Sequence, residues 1–299
     1  MPYVLLIPGL LVIIGLLVYP LIQMAIMSFQ KVGVAQVAGK KPATWVGVDN
    51  YTSIFESEIF WTALRNTVVF AAIAVPLTLI LGTAVGVLLQ KLGRKMSLVL
   101  IVGLMFAWAV PPVAQGAIWR WLADGERGII NWALNLLPDW LSNLLFGRSD
   151  WTGEPWLNDA WSIYMILILC VVWAGIPFVA VSVLAGLKGI PSELYEAARV
   201  DGSGAWRTFW KITFPLLKPV FAVLTVLSII WDFKVFGQLV VLGGQTNREA
   251  FNLSMYAVAE AFKAPPKMGS GAAIAVVLTI LLLIVTAAYI RQLFKQEEL

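Results

Sequence analysis

Two ionisable side chains, Asp232 and Lys234, interrupt a long apolar stretch in the segment SIIWDFKVFGQ. Ionisable groups inside an apolar run of membrane length are costly and usually serve a function. Trp231 precedes the pair, and Ser228 lies on roughly the same helix face because it comes three or four residues earlier. A ring face beside hydroxyl and carboxyl groups would suit a polyhydroxylated solute. Asp232 and Lys234 could instead form a structural ion pair or a pair whose charged ends reach the membrane surface.

Several classes of chemistry are excluded by the residues that the chain lacks. It contains no histidine, which excludes a histidine general base, a Ser-His-Asp triad and histidine metal ligands. Cys170 is the only cysteine, so neither an internal disulfide nor a cysteine metal cluster can form. No G-x-x-x-x-G-K-[ST] sequence offers a phosphate-binding loop. We therefore expect no catalytic residue, no metal site and no cofactor. The alternative is a membrane-embedded enzyme, which turnover of a lipid or peptide by the chain alone would indicate.

The elements that carry these residues are long, mostly uncharged runs. Of the 299 residues, 60% are hydrophobic and 13% are charged, which is more apolar surface than a soluble fold of this size can bury. A helix needs about 20 apolar residues to cross a hydrocarbon core. The sequence predicts an all-α, polytopic membrane protein with one domain over residues 1–299. Its six transmembrane helices are expected at approximately 3–29, 66–90, 96–119, 160–187, 216–241 and 268–290; five spans with a re-entrant segment are the alternative.

The distribution of lysine and arginine predicts how these spans are oriented. The connecting segments 91–97, 188–218 and 291–299 hold ten basic residues against five acids, whereas the rest of the chain holds eleven against twelve. The denser basic set belongs in the cytoplasm, so we expect both termini and the loop at 188–216 there. We expect residues 1–30 to form a retained helix and not a cleaved signal peptide. The opening MPY carries no positive charge, and no small-residue cleavage site follows. The protein is expected to span a bacterial inner, or plasma, membrane among its lipids and to bind no nucleic acid.

The loop on the cytoplasmic side has the pattern of a helix-turn-helix. Pro191 suits a first helical position, and Glu193 and Glu196 suit the positive end of a helix. Gly202 is well placed to stop this first helix after about ten residues, and a second helix is expected from about Ala205. A helix of this length is not stable alone, so we expect it to need a partner surface.

The same residues resemble a known motif. The stretch EAARVDGSGAWRTFWKITFPLLKP closely resembles the EAA loop of importer permeases in the ATP-binding-cassette (ABC) superfamily. The positions that match the pattern of that loop are Glu196, Ala197, Ala198, Asp201, Gly202, Ile212 and Pro215. The segments YPLIQMAIMSF, WVGVDNYTSIF, FWTALRNTVVF and GIINWALN extend the resemblance to the carbohydrate-uptake subfamily and its maltose-type MalF subunits. One departure is LGGQT, where many members read TGGGP.

The resemblance implies an assembly and a solute. In this family the EAA loop is a coupling helix that sits in a cleft of a cytoplasmic ATPase. The implied partners are a second homologous permease subunit, two cytoplasmic ATPase subunits that bind the ATP, and an extracytoplasmic solute-binding protein that delivers a sugar, of di- or oligosaccharide size. The substrate path that we predict lies in the fourth and fifth spans, at Gly175, Phe178, Ser228, Trp231, Asp232 and Lys234. For Gly175 and Phe178, ordinary helix packing is an equally good interpretation.

Two other transport functions remain open at this point. An importer of the same class could carry glycerol phosphate instead of a sugar. A proton-coupled secondary transporter is less favoured, because it needs a relay of ionisable groups in the membrane and the six spans offer only Asp232 and Lys234. Uptake that is driven by an ion gradient without ATP would favour this last class.

Overall fold

The computed structural model describes residues 6–297, without the side chains of 290 and 292–297, and almost all of its regular structure is helical. The helices, in chain order, are α1 (Ile7–Met27), α2 (Val34–Val37), α3 (Asp49–Phe55), α4 (Glu58–Lys91), α5 (Arg94–Trp108), α6 (Pro112–Leu122), α7 (Ile129–Leu134), α8 (Asp139–Phe146), α9 (Ala160–Lys188), α10 (Ser192–Val200), α11 (Ala205–Thr208), α12 (Phe214–Phe233), α13 (Gly237–Val241), α14 (Leu253–Phe262) and α15 (Met268–Glu297). Two short strands, β1 (Gln30–Lys31) and β2 (Thr44–Trp45), pair antiparallel. The predicted all-α class is confirmed.

Within the described residues, five helical segments are long and apolar enough to cross a membrane, and one bent helix pair makes a sixth candidate. The single segments are α1, α4, α9, the composite Ala205–Val241 and the residues Met268–Tyr289 of α15. The bent pair is α5 with α6. Backbone groups cannot remain unpaired in lipid, which is why each segment satisfies its own backbone hydrogen bonds as a helix.

The third predicted span, 96–119, is not one straight helix. The axes of α5 and α6 meet at 96°. The bend falls at Pro111 and Pro112, where ring geometry removes two backbone donors and disfavours helical dihedrals in the residue before each proline. Pro111 is accordingly extended, with φ −60° and ψ 145°. The span was predicted from hydropathy alone, without regard to the two consecutive prolines.

The fifth predicted span, 216–241, differs at both ends. Its helix begins earlier, at Ala205, because α11 continues through a π-helical turn, Phe209–Thr213, into α12. A π turn re-pairs the backbone where Pro215 contributes no N–H group. At the other end α12 stops at Phe233, and the chain resumes as α13 only at Gly237. Asp232 therefore lies beside a break in the span, not within a continuous helix.

The contacts divide the chain into two compact units, and the first comprises Met1–Asn66 with Phe251–Ile284. In this unit the end of α1 is held by the start of α3. The Asn50 side-chain amide donates to the carbonyl oxygens of Ser28 and Gln30 at 2.8 and 3.0 Å, and the hydroxyls of Tyr51 and Ser28 are 2.7 Å apart. The segments MSF and DNY of the sequence thus form one polar junction.

The second unit, Thr67–Ala250 with Val285–Leu299, contains the core that positions the candidate site. Helix α9 packs against α12 through an apolar cluster of buried residues, Val179, Val183, Leu187, Leu217 and Leu224. Small residues let α4 approach α9 closely: a Cβ atom at Gly82 would lie 2.5 Å from the Val179 side chain. Such small-residue contacts replace the hydrophobic effect as the basis of helix packing in a membrane.

Helix α9 begins at a side-chain cap. The Asp159 carboxylate accepts hydrogen bonds from the Ser162 hydroxyl at 2.6 Å and from the Ser162 N–H at 3.0 Å. These bonds lower the pKa of the Asp159 carboxyl below its usual value. The cap occupies an N–H group that the first turn of the helix leaves unpaired, so it defines where the fourth span begins.

We expect Gly82→Ala to destabilise the second unit, because the added methyl group would overlap Val179. Overpacking of this kind costs about 1–3 kcal/mol. Gly103→Ala is the matched control, since Gly103 also lies inside a membrane helix but a Cβ atom there meets nothing within 4 Å. Thermal unfolding of both purified variants in detergent would measure the difference. Equal transition temperatures would contradict the proposed α4–α9 contact.

A candidate substrate cavity between two broken spans

A cavity of about 460 Å³ lies in the second unit, where the third and fifth spans are both interrupted. Its lining comes from four parts of the unit. These are Thr78 of α4; Trp108, Val110, Pro112 and Gln115 around the first break; Val171, Ala174, Gly175 and Val179 of α9; and Ser228, Trp231, Asp232 and the run from Lys234 to Gln238 around the second break. Discontinuous helices supply the substrate sites of many transporters, because freed backbone and polar groups are tolerated where they line a cavity.

Three aromatic rings pack together beside the cavity, and two of them line it. Trp108 stacks on Phe178 with ring centroids 6.2 Å apart, and Trp231 meets Phe178 edge-on at 5.0 Å. Trp231 remains 41% exposed, whereas Phe178 does not line the cavity itself. The two tryptophans therefore offer ring surface to a ligand, and Phe178 fixes their positions from behind.

The polar groups of the fifth span face the same space. Ser228 and Asp232, four residues apart on α12, are both buried, and the Asp232 residue is only 5% exposed. Its Oδ2 atom has no hydrogen-bond partner. Among the described residues, no salt bridge joins Asp232 to the exposed Lys234. This contradicts the structural ion pair considered above. A buried carboxyl oxygen without a partner is costly, which suits an atom that a ligand must satisfy.

The two breaks are held together by side-chain amides. The Gln238 amide N–H donates to Gln115 Oε1 at 2.9 Å, and the Gln115 amide donates to the Val110 carbonyl oxygen at 2.9 Å. Beyond them, Arg120 donates to the carbonyl oxygen of Val241 at 2.8 Å. These bonds join α6 to α13 and pair carbonyl groups near the helix ends, where the chain departs from regular hydrogen bonding.

Gly175 belongs both to the cavity and to a helix contact. It lines the cavity beside Thr78, and a Cβ atom at Gly175 would lie 2.7 Å from the Thr78 Cγ2 atom. A larger residue here would therefore displace α4 and would also change the shape of the cavity. The two interpretations that the sequence left open for Gly175 describe the same position.

The structure brings five of the six predicted substrate-path residues to this cavity; Phe178 supports them from behind. Sequence reasoning missed lining residues on the other spans, namely Thr78, Trp108 and Gln115. A signal for Trp108 and Gln115 was present in AWAVPPVAQ, because consecutive prolines in an apolar run mark a break. Thr78 carried no such signal, since a threonine inside an apolar helix is common.

The loop that resembles the EAA motif forms a second candidate site. Helix α10 ends in a regular C-terminal cap: the Ser203 N–H donates to the Ala198 carbonyl at 2.8 Å, and the Gly202 N–H donates to the Arg199 carbonyl at 3.1 Å. Gly202 has φ +68°, a left-handed conformation that favours glycine. Asp201 is the last residue before this turn. The glycine predicted to stop the helix thus does so through its backbone conformation.

The loop presents one face to the protein and another to solvent. Ala198 is buried, whereas Glu196 and Ala197 are exposed. The Tyr195 and Thr213 hydroxyls are 3.2 Å apart, which connects α10 to the π turn. The remaining matched positions lie farther along, with Ile212 half-buried and Pro215 exposed. An exposed acid and alanine on a short, capped helix form a surface that another protein can approach closely.

Comparison with known proteins decides the family. A model of the family described as "Binding-protein-dependent transport system inner membrane component" matches residues 74–297. The chain belongs to this family. It is therefore a multi-pass inner-membrane permease subunit of an ABC importer, and a separate chain hydrolyses the ATP. Membership confirms the resemblance inferred from the EAA stretch and excludes an ion-coupled secondary transporter.

Individual relatives are similar over nearly the full length. The chain is 39% identical to the diacetylchitobiose uptake system permease protein DasB of Streptomyces coelicolor, over 99% of this chain and 88% of that protein. It is 33% identical to the sulfoquinovosyl glycerol transport system permease protein SmoG of Agrobacterium fabrum, over 96% and 88%. A chain in the crystal structure of a bacterial alginate ABC transporter, in complex with an alginate pentasaccharide-bound periplasmic protein, matches with a TM-score of 0.76. At 19% identity, covering 96% of this chain and 91% of that one, this likeness shows the fold.

We expect Gln115→Leu to destabilise the protein, because it leaves the buried Gln238 amide and the Val110 carbonyl without their partners. An unsatisfied buried polar group costs about 1–3 kcal/mol. Gln238→Leu should lower the free energy of unfolding less in the Gln115→Leu variant than in the unsubstituted protein, because the two amides are coupled. Gln90→Leu, an exposed position on α4, is the control. Unfolding in detergent would measure all four variants, and additive losses would show that the two amides do not interact.

Proposed function

We propose that this permease carries a sugar, of di- or oligosaccharide size, through the cavity between its two broken spans. The observation that supports this most directly is the convergence of tryptophan ring surface with the unpartnered Asp232 oxygen in one cavity. A sugar presents C–H faces that stack on rings and hydroxyl groups that pair with buried polar atoms. The relatives DasB and SmoG are described as carrying diacetylchitobiose and sulfoquinovosyl glycerol, both of which are glycosides.

A glycerol phosphate substrate is the second candidate, and the cavity lining argues against it. Phosphate groups are recognised by arginine, lysine or clustered backbone N–H groups. The residues around this cavity include one lysine, Lys234, and no arginine, and the Asp232 carboxyl supplies no cation for a phosphate. Ring stacking by Trp108 and Trp231 also gives little advantage to a three-carbon solute. The balance therefore favours a ring-shaped substrate over glycerol phosphate.

We infer that α10 is the coupling helix of the importer. Its matched residues form a capped helix on the loop between α9 and α12, and that helix has an exposed face around Glu196 and Ala197. Tyr195 connects the loop to the base of α12, whose other end carries Asp232 at the cavity. Movement of an ATPase against α10 would thus act on the same composite helix that lines the substrate site.

The remaining assembly follows from family membership and from charge. We propose that a second homologous permease subunit, two cytoplasmic ATPase subunits and an extracytoplasmic solute-binding protein complete the importer. Both termini and α10 lie in the cytoplasm, because the connecting segments on that side hold ten basic residues against five acids. The α6–α9 connection then lies on the extracytoplasmic side. Ser228, Trp231, Asp232 and Lys234 form the substrate path together with Gly175, while Phe178 positions the rings.

Removing the proposed ligand groups should weaken transport without unfolding the protein. We expect Trp231→Ala and Asp232→Ala each to lower the apparent affinity for the transported sugar by roughly ten- to a hundredfold, since a lost buried contact costs about 1–3 kcal/mol. Uptake of several sugars by proteoliposomes with the complete importer would measure this. Trp161→Ala is the control, because Trp161 is an exposed ring away from the cavity lining. Unchanged affinity in both site variants would show that the cavity is not the sugar site.

The coupling helix can be tested through its cap. We expect Gly202→Ala to reduce substrate-stimulated ATP hydrolysis, because an alanine with φ +68° costs about 1–2 kcal/mol and disturbs the end of α10. Gly204→Ala is a matched control, since Gly204 has an extended backbone and a Cβ atom at either glycine would meet nothing within 4 Å. ATPase assays in proteoliposomes would compare the two. Equal stimulation in both variants would contradict the coupling assignment.

A further inference from the structure

Helix α8, in the connection between α6 and α9, buries a polar side chain and exposes apolar ones. Its buried residue is Ser142, which is 0% exposed, whereas Trp140 and Leu144 are 68% and 74% exposed. At about 100° per residue, the two apolar side chains lie on the face opposite the serine. A helix on the surface of a water-soluble domain shows the reverse arrangement, with its apolar stripe toward the core.

The inversion is fixed by a polar network on the inner side. The Ser142 hydroxyl accepts from the Trp151 indole N–H at 3.0 Å and donates to the Arg148 carbonyl at 2.6 Å. Trp151 stacks on Trp156 with centroids 5.6 Å apart, and the Trp156 indole donates to Asn131 at 2.6 Å. Because every one of these inward groups has a partner, α8 cannot rotate its apolar face inward without breaking several buried hydrogen bonds.

Charge is excluded from the same region. Between Gly128 and Gly147 the only charged residue is Asp139, at the start of α8. Charged residues are concentrated just outside these limits, at Asp124, Glu126, Arg127, Arg148, Asp150 and Glu154. Tryptophan rings are enriched where a protein meets the membrane surface, and a stretch rich in tryptophan and leucine with few charges suits contact with lipid.

The spans at both ends of the connection also expose apolar rings. Trp121, in the last turn of α6, and Trp161, in the first turn of α9, are both exposed. These ends of the two spans mark the membrane boundary, where tryptophan rings are enriched. Helix α8 packs on Trp151 through Ser142, and α9 begins at Ala160, four residues after Trp156, so the short connection keeps α8 near that end of α9.

We propose that α8 lies in the membrane interface, with Trp140 and Leu144 inserted among the headgroups and upper acyl chains of the leaflet in which α6 ends and α9 begins. An exposed apolar face of this kind requires cover. Lipid is the occupant that the structure favours, because the face is uncharged and its connection joins two membrane-spanning helices. The connection between α6 and α9 is thereby a membrane-anchored element, and the neighbouring solvent-facing charges remain available to other proteins.

A site-specific fluorescent label tests this proposal. Cys170 is buried, so the unsubstituted protein measures background labelling, and Leu144→Cys supplies one exposed thiol for the environment-sensitive dye NBD. Glu126→Cys, in the charged flank, is the control. The importer, assembled with its partner subunits, is placed in phosphatidylcholine nanodiscs with doxyl groups near the top or the end of the acyl chains. An interfacial helix lies about 5–10 Å into the headgroup and acyl boundary.

The outcomes separate lipid from protein cover. We expect NBD at position 144 to be blue-shifted and quenched more by the upper doxyl group than by the lower one, with neither effect at position 126. Addition of the solute-binding protein should leave the spectrum at 144 unchanged. A blue shift without doxyl quenching would assign the face to the second permease subunit. A blue shift that requires the binding protein would assign it to that partner, and a water-like spectrum throughout would leave it uncovered; each of these results overturns the proposal.

Discussion

The constraint on which this structure depends is that a helix broken inside a membrane must have its freed backbone groups satisfied by protein. The third span breaks at Pro111 and Pro112, and the fifth breaks after Phe233. Gln115 pairs with the Val110 carbonyl and with Gln238, and Arg120 pairs with the Val241 carbonyl. The two breaks therefore have to lie together, because each supplies partners for the other. The cavity is the space that remains between them, and its polar groups Gln115, Asp232 and Gln238 lie at or beside the breaks.

The same composite helix connects this cavity to the EAA loop. From Phe214 to Phe233 it spans 20 residues, or about 30 Å at the rise of an α-helix. One end is joined to α10 through the Tyr195–Thr213 contact, and the other carries Trp231 and Asp232. Packing against α9 through Leu217 and Leu224 holds the helix in place between them. A displacement of the loop can thus reach the substrate site through one packed helix.

Local sequence signals predicted much of this arrangement, and the errors share one cause. Apolar runs located the long helices, and Gly202 located the end of α10, because both depend on the chemistry of neighbouring residues. The bend of α5 against α6 and the gap after Phe233 were missed. Hydropathy measures the free energy of placing residues in lipid and does not indicate whether a helix is continuous. Thr78 was missed for a different reason: its place in the cavity depends on its contact with Gly175, more than 90 positions away in the chain.

Gly175 shows why packing and ligand binding should not be treated as competing explanations in such a protein. Its missing side chain allows Thr78 of α4 to approach α9, and the same close approach sets the cavity wall beside Ser228 and Asp232. A larger residue would move a helix and reshape the site in one step. In a soluble enzyme a loop can change a binding site while the core stays intact. Here the lining side chains belong largely to the packed helices themselves, so the volume of the site is determined by how closely those helices approach.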